Sequence, residues 1–215
     1  MQYLIAFVGF KGSGKNTAAL PLIEHGFQAF SFADAVKDAL AAIFFWPRDL
    51  LEGITPESRA FRETVDPWWA AKLNNPEFSP RWAMMHFATD LMRMQFHPQI
   101  WVFNIERRLS LLDAQARVVM TDCRFANELA MVRRYGGEVH QIARRSAISA
   151  TDHPSETDWI GCPVDSVIEN DKTVADLHGA VSDRFLTRVS PTTATRNQRS
   201  CPGQTAHSWR SIGAE

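Results

Sequence analysis

Apolar residues alternate along this chain between two rhythms. Tyr3-Leu-Ile-Ala-Phe-Val8 has no polar interruption and is closed by Gly9, which predicts a strand buried on both faces. After a glycine-rich turn, the segment from about Lys15 to His25 predicts a helix stopping at Gly26. Phe27–Phe32 predicts a second strand and Ala33–Phe45 a second helix. Residues 46–80, rich in proline and charge, predict an inserted helical excursion with loops. Ser79-Pro80 is a strong helix start, with serine as N-cap and proline at the first helical position. On the helix that follows, to about Phe96, Met84, Phe87, Ala88, Leu91 and Met94 predict an apolar stripe. His86, Thr89, Asp90, Arg93 and His97 fall on the other side. Pro98 restarts the chain into a helix reaching about Leu112.

The second half repeats the alternation. Arg117–Thr121 reads as a strand running into Asp122, followed by a helix to Gly136-Gly137. Strands are expected at Glu138–Ala143 and Val164–Glu169, and a closing helix at Val174–Arg188. Strands alternating with helices imply an α/β fold with a parallel sheet covered on both faces. In such sheets ligands bind at the carboxyl ends of the strands.

Composition narrows the class without choosing a function. The 215 residues are 45% hydrophobic and 22% charged, with a net charge of -1. That suits one domain with a sizeable core and provides no global attraction to nucleic acid or an acidic membrane. Cys123, Cys162 and Cys201 lie far apart with no CxxC pair, against a disulfide framework or a cysteine zinc site and consistent with a cytoplasmic setting. No apolar run approaches a membrane span, and the chain opens on a strand without a signal-peptide pattern. Ser190–Glu215 is too poor in aliphatic residues to offset its ordering entropy. The expected division is a domain over 1–189 and a disordered tail over 190–215.

Gly9-Phe-Lys-Gly-Ser-Gly14-Lys15 fits GxxxxGK and lies between a strand and a helix, where a phosphate loop must lie. Its glycines let backbone amides turn toward phosphate oxygens, the helix N-terminus adds a positive dipole end, and Lys15 reaches the terminal phosphates. The position after the lysine, ordinarily Ser or Thr with its hydroxyl on Mg²⁺, is Asn16, followed by Thr17. Asp122, closing its strand, has the placement of an acid that orients Mg²⁺ or its waters, and equally that of a helix N-cap.

Several segments in order resemble the phage-type deoxynucleoside monophosphate kinases, a branch of the P-loop nucleotide kinases. They are GFKGSGKNT, FADAVKDAL, PRWAMMHFATDLMR, VVMTDCRFANELAMVRRYGGEVHQIAR, DHPSETDW and VIENDKTVADL, and they cover about Met1–Ser182. The resemblance implies a P-loop NTPase three-layer sandwich with a five-stranded parallel sheet, a helical acceptor-binding insertion and a mobile lid. It implies transfer of the γ-phosphoryl group of ATP to a deoxynucleoside 5′-monophosphate (dNMP) with Mg²⁺.

On that basis Gly9, Lys11, Gly12, Ser13, Gly14, Lys15, Asn16, Thr17 and the lid arginine Arg144 are expected around ATP, with Asn16 and Asp122 toward the metal. Arg124 is expected to stabilise the transition state. Lys37, Arg81, Arg93 and Glu156 are expected at the acceptor, with Asp34 facing its sugar or the metal. Plain structural alternatives stand beside several of these: Asp34 at a helix dipole, Lys37 solvated, Asp90–Arg93 as a surface pair, Asn127 and Glu128 as helix-surface groups. A metal site at His153 and Glu156 is not expected, because no further ligands share the spacing. Most tryptophans are expected in the core.

Two other functions fit the same residues. One is phosphorylation of a hydroxymethylated base such as 5-hydroxymethyluracil in phage DNA, with Arg196, Arg199 and Arg210 of the tail as its basic contacts. The other is non-catalytic nucleotide binding, suggested by Asn16. The partner expected for the leading reading is a small-molecule deoxynucleotide, with no membrane and with a homodimer among the assemblies open to it.

Overall fold

The computed structural model describes residues 3–147 and 158–187. The expected tail and the His153–Glu156 motif lie outside them. Strands β1 (Tyr3–Val8), β2 (Gln28–Phe30), β3 (Arg117–Met120), β4 (Glu138–Ala143) and β5 (Ser166–Glu169) form one parallel sheet in the order β2-β3-β1-β4-β5. The edge strands are shorter than the apolar runs suggested. β2 pairs only with β3, over Gln28–Phe30, so a strand with one partner ends where the shared ladder ends.

Alternate residues of β1 serve opposite layers, as pleating requires. Leu4, Ala6 and Val8 join the core against α2 (Asp34–Phe44), α5 (Pro80–Met85), α6 (Ile100–Ser110) and α7 (Ala126–Arg134). Ile5 and Phe7 face the second core, with Ala18, Ala19 and Leu22 of α1 (Lys15–Glu24) and Leu177, Val181 and Phe185 of α8 (Val174–Phe185). The result is the expected three-layer α/β sandwich. Among the described residues no helix is long and apolar enough to cross a membrane.

The excursion after α2 is a series of short helices joined by loops, as expected. A 3₁₀ turn (Asp49–Leu51) precedes α3 (Pro56–Glu63) and α4 (Pro67–Leu73), and α5 follows. All three α-helices open with a capping side chain followed by proline. Thr55 accepts from the Ser58 amide, Asp66 from the Trp68 and Trp69 amides, and Ser79 from the Trp82 amide. Asp66 also takes the indole N–H of buried Trp46 at 2.8 Å.

α5 does not continue as one α-helix to Phe96. From His86 to Phe96 it winds as a π-helix, with the His97 amide reaching Met92 O at 2.9 Å. The wider turn changes the phase of the side chains, so the expected apolar stripe does not hold: Met84 is buried, but Met94 is 76% exposed. Trp101 inserts its indole N–H against Ala88 O at 3.0 Å, giving that carbonyl a partner.

Phe45, the C-cap of α2, has a left-handed backbone (φ 59°) and is 88% exposed. A bulky side chain in that region is strained by roughly 1–2 kcal/mol, and glycine is not. Phe45→Gly is therefore expected to stabilise the fold by about 0.5–1 kcal/mol, raising Tm by about 1–4 °C. A lower Tm in a thermal melt would show that the exposed ring packs more than it strains.

His140 is fully buried on β4 between Ser166 Oγ (2.8 Å) and Glu138 Oε2 (3.1 Å), with the Phe185 ring against it. Burial pushes its pKa below 6.5, helped by Arg184, although Glu138 and Asp165 pull the other way. The folded state then holds fewer protons than the unfolded chain just below pH 6.5, so stability falls as pH drops through that window. Buried Glu128, whose pKa is pushed up to about 7, acts in the opposite direction over the same window, so the His140 contribution is read as a difference. Between about pH 7.5 and about 5.5 the urea midpoint of His140→Gln is expected to fall less, or rise more, than that of the wild type. An unchanged slope would refute the assignment.

Candidate active site

The carboxyl ends of all five strands open on one edge, and the chemistry predicted from the sequence collects there. β1 runs into Gly9, β2 into Ser31, β3 into Asp122, β4 into Arg144 and β5 into Asn170. The loop between β1 and α1 is a cradle that only glycine permits at two points. A Cβ on Gly9 would lie 2.5 Å from Ile142 O and 2.8 Å from Ser13 Oγ, and one on Gly14 would collide with Asn170 Nδ2. Gly9, Gly12 and Gly14 all have positive φ. Ser13 Oγ is buried and has no hydrogen-bond partner, an orphaned polar atom in the wall of the loop. Lys15 Nζ donates to Gly9 O (2.7 Å) and Phe10 O (3.0 Å), so its ammonium lies over the loop. Lys11, Gly12 and Asn16 are exposed and Thr17 is partly so. Such a loop fits a chain of phosphates.

Asn170, absent from the expected site, latches this loop from β5: its Nδ2 donates to Ser13 O at 2.8 Å, and it is buried. The signal was available, since a polar residue ends this strand as at the others. Trp159, buried, places its ring edge against Phe10 of the loop, with centroids 5.3 Å apart.

Asp122 is drawn mainly to its own neighbours. Its carboxylate accepts from Ser31 Oγ (2.5 Å) and from the Phe32 and Ala33 amides (3.0 Å each). Three of its roughly four acceptor sites therefore hold the turn between β2 and α2, leaving about one for anything else. No group of three His, Cys, Asp or Glu residues converges on a common point among the described residues. Mg²⁺ asks for little from protein, because it keeps several waters and is held largely by substrate phosphates. One remaining Asp122 lone pair and the exposed Asn16 amide fit that modest demand.

Asp34 and Lys37 do not face open solvent. Asp34 Oδ2 meets Arg108 Nη1 at 3.0 Å, and buried Lys37 pairs with Glu52 at 2.6 Å and with Asp34 at 3.7 Å. Arg48 bridges Asp38 and Glu52. Lys37 is thus neither a solvated lysine nor an open acceptor contact. Its charge is matched within this network. Asp34, Asp38, Arg48, Asn104 and Arg108 line an adjoining cavity of about 360 Å³.

The arginines divide. Arg81 lies 3.5 Å from Glu63 and belongs to a cluster that sequence reasoning missed. Arg62 on α3 is partly buried, its Nε has no partner, and its Nη1 reaches Glu52 O at 3.3 Å. Burial lowers its pKa, and the Arg81 and Arg124 guanidiniums lower it further, against Glu63 and Glu52. Cations from α5 and from the turn after β3 thus lie near enough to the partly buried Arg62 to act on its charge, with Glu63 and Glu52 as the opposing anions. No periodicity marks Arg62, because its neighbours come from distant segments. Arg144 is exposed at the end of β4, and neighbouring Arg145 pairs with Asp171 at 3.1 Å. Glu156 lies outside the described residues.

Arg93 does not form the surface pair that was the plain alternative to an acceptor role. It pairs with Glu128 rather than Asp90, which instead meets His86 at 2.7 Å, and its guanidinium stacks 4.0 Å over the Phe125 ring. Glu128 is not a helix-surface group: it is 1% exposed. Burial pushes its pKa up to about 7, opposed first by Arg93 and then by the Arg124 amide. The equally buried Cys123 is a packing residue whose thiol burial pushes well up.

Comparison with known proteins places the chain in a family. A family model for deoxynucleotide monophosphate kinase matches residues 57–181. The chain is 31% identical over 190 residues to a protein of Acanthamoeba polyphaga mimivirus that bears the name deoxynucleotide monophosphate kinase by inference, covering 83% of this chain and 93% of the relative. Among solved structures, a Thermus thermophilus protein is 19% identical with a TM-score of 0.47, covering 88% of this chain and 99% of that one. Dephospho-CoA kinase from Campylobacter jejuni is 16% identical with a TM-score of 0.40, covering 87% and 98%.

Proposed function

The chain belongs to the deoxynucleotide monophosphate kinase family, and from that premise we propose that it transfers the γ-phosphoryl group of ATP to a deoxynucleoside 5′-monophosphate, releasing ADP and the deoxynucleoside diphosphate. The observation that carries the reading is a phosphate loop with Lys15 at the carboxyl edge of the sheet, the edge from which Arg124 also follows a strand, with Arg62 and Arg124 near enough to act on each other's charge. One site suits a polyphosphate and the other a single phosphate, which is what joining two phosphates requires.

In the transfer, an oxygen of the acceptor phosphate forms a bond to the γ-phosphorus as the bond from that phosphorus to the bridging oxygen of ADP breaks. Charge spreads over the three transferred oxygens, so the protein's work is positioning and neutralisation. In this reading the loop amides and Lys15 hold the donor phosphates, Arg62 and Arg81 hold the acceptor phosphate, and Arg124 serves the phosphoryl group in transfer. Asn16 and Asp122 would hold Mg²⁺ on the protein side, and the ion would supply further neutralisation of the phosphate charge. Asp34, held by Arg108, is assigned to the acceptor sugar or the metal, and Arg144, exposed at the end of β4, to the ATP phosphates.

The test is the purified full chain with ATP, Mg²⁺ and each dNMP in turn, reading ADP release and diphosphate formation. No turnover with any dNMP overturns the proposal, and transfer of label from ATP to hydroxymethylated DNA alone would favour the DNA-directed alternative. Within an active enzyme, Arg62→Gln is expected to raise KM for the dNMP by about tenfold or more, since a charge-assisted contact contributes about 1.5–3 kcal/mol. KM for ATP should stay near the wild-type value. An equal rise in both would place Arg62 outside the acceptor site.

A further inference from the structure

Glu128 joins three pieces of the molecule that are separate in sequence. Its Oε2 accepts the Arg124 amide at 2.7 Å and the Phe125 amide at 3.2 Å, while its Oε1 meets the guanidinium of Arg93, on the π-wound segment. That guanidinium also covers the Phe125 ring. The backbone that launches the Arg124 side chain is therefore gripped from below by a buried carboxylate, and the carboxylate is gripped by the helix that carries Arg81 in its first turn. We propose that Glu128 is a positioning residue for phosphoryl transfer, fixing the turn from which Arg124 projects and tying that turn through Arg93 to the acceptor-side helix. The inference rests on the kinase reading above.

A helix cap alone does not account for the arrangement. A capping carboxylate needs only the amides of its own first turn, and caps ordinarily sit in water. Glu128 is 1% exposed and is met by an arginine 35 residues earlier in the chain. Desolvation makes a buried carboxylate costly, and here one oxygen takes a single Arg93 nitrogen while the other takes the two amides of the turn. What it holds is the backbone of Arg124.

The experiment is a double-mutant cycle on the full chain, assayed with ATP, Mg²⁺ and whichever dNMP the wild type turns over fastest. Glu128→Gln keeps shape and one carbonyl acceptor but removes the charge facing Arg93. It is expected to lower kcat by about 10- to 100-fold with KM for ATP changed by less than about threefold, the pattern of a lost transition-state interaction. In an Arg124→Ala background the same substitution should cost less than about threefold, because its effect passes through Arg124. Equal losses in the two backgrounds overturn the proposal and leave Glu128 a stabilising cap. Should Glu128→Gln fail to fold, Arg93→Lys, which keeps the charge but not the fork, enters the same cycle.

Hydrogen exchange provides a readout independent of turnover. In the variant the Arg124 and Phe125 amides should lose protection while Val118–Met120 keep theirs, and unchanged protection at Arg124 also overturns the clamp. A wild-type chain that phosphorylates no dNMP defeats the kinase reading instead, and the exchange result still decides the clamp.

Discussion

Arg124→Ala is expected to lower kcat by about 10³-fold or more, within the range a transition-state arginine contributes to phosphoryl transfer. The reason is where the charge goes. As the γ-phosphoryl group leaves ADP, negative charge spreads over its equatorial oxygens, and a guanidinium fixed nearby stabilises that state more than the bound substrates. Arg124 sits four residues beyond the end of β3, the strand paired with the one that leads into the phosphate loop, close enough to Arg62 for its charge to depress that residue's pKa. Its backbone is held by Glu128, so the side chain leaves from a fixed point. Arg124→Lys should recover only part of the loss, because a compact ammonium does not reproduce a planar fork. Steady-state kinetics on both variants check this. A loss confined to KM for either nucleotide would make Arg124 a binding residue and remove it from the transition state.

Lys15→Ala is expected to lower kcat by roughly 10²–10³-fold, comparable to removing one preorganised donor from a site of developing charge, and to weaken ATP binding as well. The amine now donates to the Gly9 and Phe10 carbonyls, neutral acceptors that anionic phosphate oxygens outcompete. Its replacement deletes a functional cation from a loop whose shape is set elsewhere, by Gly9, Gly14 and the Asn170 latch. A thermal melt separates the two effects. The variant should unfold near the wild-type Tm without ATP yet lose much of the stabilisation that ATP confers, which for an intact site is about 2.7 kcal/mol at a hundredfold excess over Kd. Wild-type ATP stabilisation in Lys15→Ala would show that the lysine does not reach the donor.

The legible and illegible parts of the site differ in kind. The phosphate loop could be read directly, because its glycines, lysine and following helix are contiguous and its function resides in the backbone they shape. Asp122 and Arg124 were legible by position, since both follow a buried strand. Arg62 was not, because its partners come from α5 and the turn after β3, and nothing in α3 marks it. Glu128 was misjudged for a related reason. Its burial comes from α5's π-wound continuation, and helical periodicity does not foresee that winding or the arginine it brings over Phe125.

By itself the sequence determined the sheet and its edge. A short apolar run closed by glycine, such as Tyr3–Val8, favours a strand buried on both faces, and the glycines after β1 leave a phosphate cradle as the natural conformation of that turn. Only the tertiary structure decided how the charges are shared: Lys37 with Glu52, Asp122 with the turn after β2, Arg93 with Glu128, and Arg62 with its two cationic neighbours. The physical reason is range. Backbone conformation and apolar burial are dictated over a few residues, whereas a charge acts on whatever the completed fold brings within a few ångströms of it.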